Sequence, residues 1–222
     1  MIKGLLQKEW IKTRWVLLAI YVIGIALTIY DILGIQRVVT IKGVAHLWEI
    51  LLTKDVLFIS AIKYQPLATS VVLAVAQFVP EMIQKRLKLT LHLPVSQAKT
   101  TTTMLTYGVV ILLLLFGIQY LILYIYLQNI LAPELTHHLL VSIAPWFIAG
   151  LTGYGMTSLI TLEPTWRRRI VYLVMGYGPV HLSFVTTTPR AYEDALIPLL
   201  VSSLLICYFS FLSIQRFKEG VQ

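Results

Sequence analysis

Charge is what this sequence has least of. Only 13% of its 222 residues are Asp, Glu, Lys or Arg, while 58% are hydrophobic and the mean hydropathy is +0.80. A soluble domain carries roughly 25% charged residues, so a chain this apolar has too little polar surface to cover itself in water. Cysteine is nearly absent as well. The lone Cys207, in the last apolar run, allows no internal disulfide and no thiolate metal cluster, and it reads as a small hydrophobe. A glycine-rich phosphate loop closing on Lys-Ser/Thr is missing, so no ATP hydrolysis is expected from this chain. Zinc signatures, a nucleophile elbow and paired carboxylates are missing too. His137 and His138 are adjacent, so on a helix they point to different sides and make poor joint ligands. The expectation is no catalytic residue, no metal site and no cofactor in this chain.

Long intervals without charge are abundant. They measure 16 residues between Arg14 and Asp31, 17 between Lys63 and Glu81, and 34 between Lys99 and Glu134. A further 28 separate Glu134 from Glu163, 20 separate Arg169 from Arg190, and 21 separate Asp194 from Arg216. About twenty mostly apolar residues cross a bilayer, and flanking Lys and Arg stems extend the shorter runs. The pattern predicts an all-α polytopic membrane protein with six transmembrane helices, near 15–33, 60–80, 104–128, 138–161, 170–187 and 195–214. Residues 1–14, with Ile2, Leu5, Leu6 and Trp10 on one face, read as an interfacial helix before the first crossing. The basic start resembles a signal peptide, but the run ends in Tyr30-Asp31 with no small-residue cleavage site, so it reads as a retained helix. Residues 34–59 form the longest exterior connection, with a short amphipathic helix expected in "HLWEILLTKDVLF".

Charge sign orients the threading. With both termini in the cytoplasm, thirteen of the eighteen basic residues lie inside and five outside, and four acids lie inside against six outside. The reverse orientation violates the positive-inside rule. The net charge of +8 is thus a topology signal and an attraction to anionic lipid rather than a nucleic-acid footprint. Trp10, Trp15, Arg167, Arg168 and Arg169 suit the inner interface.

One inner connection stands out. "EMIQKRLKLTLHLPVSQAK", residues 81–99, packs four basic residues between two apolar runs. Its letters from Leu87 to Leu93 alternate as a strand would, but a lone strand leaves its edge unpaired at a membrane surface. A helix with Lys85, Lys88 and His92 on one stripe and Ile83, Leu87 and Leu91 on another is the better reading, ended by Pro94. Fixed at both ends, such a segment is well placed to pass a push to two helices.

Small residues mark the later crossings. Gly150, Gly153 and Gly155 in the fourth, and Gly176 and Gly178 in the fifth, let neighbouring backbones approach. Pro179 is expected to kink or break the fifth, beside the intramembrane-polar His181. Thr152-Gly153-Tyr154-Gly155 looks like a potassium-channel filter, yet it lies inside a full span rather than in a re-entrant loop. Helix packing is the reading retained.

These residues carry a resemblance. An amphipathic Lys8-Glu9-Trp10 with Lys12 leading into the first span, and Glu81 followed by basic residues and "LTLHLPVS", are similar to the permease subunits of ABC-2 type transporters. The likeness spans the whole topology but is sharp only over residues 78–99. It implies that 81–99 holds a cytoplasmic coupling helix between the second and third spans, docking a separate ATPase through Glu81, Lys85, Arg86, Lys88, Leu91, His92 and Leu93. It also implies a second permease copy or a related permease, ATP and Mg in the partner ATPase, and an inner-membrane location. In that scheme Gly150, Gly153, Gly155, Gly176, Gly178, Pro179 and His181 form helix packing or pathway, and the push alters packing at the fourth and fifth spans. The competing readings are a non-transporting membrane scaffold, a secondary transporter, for which paired intramembrane charges and inverted repeats are not evident, and an intramembrane enzyme.

Overall fold

A computed structural model describes residues 2–53, 59–83, 97–186, 188 and 190–219. Among the described residues six helices follow one another: α1 Ile2–Thr53, α2 Gln65–Ile83, α3 Gln97–Gln128, α4 Pro133–Leu162, α5 Trp166–Leu182 and α6 Leu196–Glu219. Five contain stretches long and apolar enough to cross a membrane: Lys3–Ile41, Gln65–Ile83, Lys99–Gln128, Pro133–Leu162 and Leu196–Ile214. The protein is an all-α polytopic membrane protein.

Proline sets several boundaries. Pro66 and Pro133 sit in first turns, where the missing N–H has no intrahelical partner to lose. Pro164 forces the residue before it out of the helical region, and Glu163 accordingly adopts φ −71°, ψ 126° and ends α4.

Three expectations need correction. The interfacial helix and first crossing are not separated at residue 14, because nothing between Arg14 and Lys42 breaks a helix. The bend comes at Gly43, whose φ of 79° falls where only glycine is unstrained. The expected exterior segment therefore begins as helix, and its last part, 54–58, lies outside the described residues. Helix α2 starts after a turn at 61–64 and runs through Pro80 rather than ending there. Helix α5 begins at Trp166, passes Pro179 and stops at Leu182, so the span expected at 170–187 is shifted toward its arginines and is only 17 residues long.

Contacts fix how the helices run. Thr13 meets Tyr107 and Thr28 meets Gln119, at sequence separations of 94 and 91, so α1 and α3 are parallel. Ser158 meets Ser210 and Glu163 meets Ser213, at separations of 52 and 50, so α4 and α6 are parallel too. Helix α4 is the centre of the bundle and packs against α2, α3, α5 and α6. Its glycines make this possible. A methyl group on Gly150 would come within 2.9 Å of Phe116 and of the Pro66 carbonyl, and one on Gly155 within 2.9 Å of the Cys207 backbone nitrogen. Gly108 of α3 lies directly under the Tyr154 ring.

Candidate functional site

Where α1 begins and α2 ends, four charged side chains meet inside the protein. Glu9 and Glu81 are buried, at 1% and 0% exposure. Lys12 Nζ lies 2.9 Å from Glu9 and 3.1 Å from Glu81, and Lys8 Nζ reaches Glu81 at 2.9 Å. Positions 8, 9 and 12 belong to adjacent turns of one helix, so α1 presents both lysines to the single carboxylate arriving from α2. Two acids and two bases leave the cluster neutral, which is the condition for keeping carboxylates out of water. One turn deeper, the Thr13 hydroxyl bonds the Glu9 carbonyl at 2.9 Å and lies 2.8 Å from the Tyr107 hydroxyl, joining α1 to α3.

Deeper still, buried amides replace charges. Tyr154 donates to Gln77 at 2.8 Å, and the Gln77 amide donates to the Met104 carbonyl at 2.8 Å, binding α2, α3 and α4 at one point. Gln65, Gln119, Thr28 and Thr69 form a second buried group, with bonds of 3.0–3.4 Å. Beyond it, the Asp31 carboxylate of α1 accepts the backbone N–H groups of Ser60, Ala61 and Ile62 at 3.3, 3.1 and 3.1 Å. At 1.5 Å per residue, Glu9 and Asp31 are about 33 Å apart along α1, close to the thickness of the hydrocarbon core. At one edge of the apolar layer α1 thus meets the end of α2, and at the other it meets the turn before α2, each time through a carboxylate.

A fourth buried carboxylate, Glu163, closes α4. It accepts from Thr165 at 2.8 Å and from Ser213 at 3.0 Å, with Arg168 at 3.8 Å and Arg216 at 3.6 Å. Arg169 bonds its carbonyl at 2.7 Å, and Arg216 also bonds the Tyr172 hydroxyl. The ends of α4, α5 and α6 are thereby joined.

Of the residues singled out from the sequence, Glu81 belongs to the first cluster. Lys85, Arg86, Lys88, Leu91, His92 and Leu93 lie outside the described residues. Gly153 packs on Leu67 and Gly176 on Met156. Pro179 lines a hollow of about 310 Å³ between α4, α5 and α6. Two residues differ from the packing expectation. A side chain on Gly178 would meet nothing within 4 Å, and His181 is exposed against the Tyr177 ring at 5.2 Å. Both lie on the face of α5 turned away from α4. Trp10, Trp15, Arg167 and Arg168 are exposed, with Trp15 at 71%. Asp31, Gln77, Gln119 and Glu163 carried no sequence signal of their own beyond being polar in an apolar chain. No group of three or more metal-ligating side chains occurs among the described residues.

No family model, curated protein or solved structure matches this chain.

Proposed function

We propose that this protein is the membrane-spanning subunit of an ATP-driven exporter of the ABC-2 arrangement, forming the substrate pathway and docked by separate ATPase subunits at the cytoplasmic face. One observation carries the reading. Glu81 stands three residues before the segment 84–96, and its carboxylate is held by Lys8 and Lys12 of α1. A force applied to 84–96 acts first on the end of α2, and this ionic contact passes it to α1. The Thr13–Tyr107 bond then passes it to α3.

In this reading Lys85, Arg86, Lys88, Leu91, His92 and Leu93 form the docking surface, with ATP and Mg bound in the partner. A second copy, or a related permease, completes the pathway. Both termini are cytoplasmic in the plasma (inner) membrane, α5 makes the remaining crossing, and Trp10, Trp15 and Arg167–Arg169 rest at the inner headgroup level. Among the described residues the connections between helices are short, which favours loading from within the membrane or the cytoplasm.

Co-purification from native membranes tests the proposal. A P-loop ATPase is expected with the unmodified protein, and Lys85→Glu with Lys88→Glu is expected to reduce its recovery at least tenfold. Recovery of no ATPase with the unmodified protein favours a scaffold instead, and undiminished recovery with the double variant removes the docking assignment.

A further inference from the structure

The seam between α1 and α3 is open to the lipid along one side. A furrow of about 500 Å³ follows it, lined by Trp10, Arg14, Leu18 and Tyr21 of α1 and by Leu114 and Ile118 of α3. From Trp10 to Tyr21 it runs about 16 Å along the helix axis, the depth of one leaflet of a hydrocarbon core about 30 Å thick. Its lining is almost entirely apolar except at the Trp10 end.

That end carries an unbalanced charge. Among the described residues no carboxylate pairs with Arg14, whose guanidinium lies 5.6 Å over the Trp15 ring, whereas Lys8 and Lys12 both meet glutamates. The furrow continues past Ile111 toward Leu6, Thr102 and Lys99, and Lys99 too meets no carboxylate among the described residues. Side chains on a helix lean toward its N-terminus, and the N-termini of the parallel α1 and α3 lie at this same end. Both cations are thus directed to the headgroup layer, with their stems along the apolar groove.

We propose that this furrow binds one anionic glycerophospholipid, its acyl chain along Leu18, Tyr21 and Leu114 and its phosphate at Arg14 between the two tryptophans, with Lys99 adding a longer-range positive charge farther out in the headgroup layer. A zwitterionic lipid fills the groove equally well but brings no net negative charge. The site is independent of whether an ATPase docks on this protein.

The full chain carrying Trp48→Phe and Trp166→Phe keeps Trp10 and Trp15 as reporters, while Trp146 is buried in the core. It is reconstituted in phosphatidylcholine vesicles holding equal mole fractions of acyl-brominated phosphatidylglycerol or acyl-brominated phosphatidylcholine. Quenching is expected to favour the anionic lipid by about fivefold for each cation engaged, the effect of one basic residue at an anionic surface. Arg14→Gln is expected to remove most of that preference without changing quenching by the zwitterionic lipid. Arg14→Lys should restore it, and Lys99→Gln should lower it less. Equal quenching by the two lipids in the parent protein overturns the proposal, even if no variant folds. An undiminished preference in the Arg14→Gln, Lys99→Gln double variant, with its helical circular dichroism intact, overturns it as well.

Discussion

The turn before α2 and the far end of α2 are tied to α1 by the same chemical group in opposite ways. At the Asp31 end the carboxylate comes from α1, and its partners are three successive backbone N–H groups. At the Glu81 end the carboxylate comes from α2, and its partners are two lysine ammoniums on long stems. Backbone donors are fixed by the turn that carries them and cannot follow a moving acceptor. Lysine stems have four rotatable bonds and can keep contact through a shift of an ångström or more. One end behaves as a pivot and the other as a sliding joint. In the proposed transporter, the sliding joint lies beside the segment that a motor protein would grip.

Breaking the pivot gives the largest effect expected. Asp31→Ala leaves three backbone N–H groups, that of Ile62 buried, without their charged acceptor and should lower stability by about 3–5 kcal/mol, read as a loss of thermal or denaturant resistance in detergent. Retention of parental stability would remove the pivot from the comparison. The packing between the two ends can be probed at α4 and α5. Gly153→Leu must displace Leu67 and should cost about 1–3 kcal/mol, whereas Gly178→Leu faces open space and should stay within about 0.5 kcal/mol of the parent. Equal effects at the two positions would show that α5 is packed on a different face.

The smallest effect concerns an exposed ion pair between two residues of one loop. Arg190 forms a paired bond with Glu193, both arms at 2.6 Å, in the loop between α5 and α6. The Arg190 hydrogen bonds hold the Glu193 carboxyl below the usual carboxylate range. Because the folded value is the lower one, this contact contributes above the unfolded carboxylate pKa and is lost as pH falls through the folded one. Titration of Glu193 by NMR should show the depressed midpoint, and Arg190→Gln should move it back up. An unmoved midpoint would assign the shift to other charges nearby.

Much of the helical framework was legible from where charge is missing. The gaps bounded by Lys63, Lys99, Glu134, Glu163 and Arg216 correspond to α2, α3, α4 and α6. The same logic failed at the first and fifth helices for a physical reason. Charge is tolerated inside a helix, so Arg14 and Asp31 did not end α1, and the real break at Gly43 is a backbone event. Conversely, loops need not be charged, so the span expected at 170–187 takes in the uncharged residues 183–186, which lie beyond the end of α5. The candidate site was legible only in part. Glu81 stood out beside its basic segment, but its lysine partners lie about seventy residues earlier, and nothing along a single chain announces such a pairing. Asp31 and Glu163 read as span boundaries, and only three-dimensional contact gives them the role of ties between helices.

A double-mutant cycle between Lys12 and Glu81 tests the central claim most directly, because it measures whether the start of α1 and the end of α2 are joined through buried charge. Lys12→Met alone should cost about 3–5 kcal/mol by leaving Glu9 without its ammonium partner and Glu81 with Lys8 alone, and adding Glu81→Leu should recover more than about 1 kcal/mol of that loss. Strictly additive losses in the two single variants would mean that the two charges do not sense each other, and the proposed path of force from 84–96 into α1 would have no physical link.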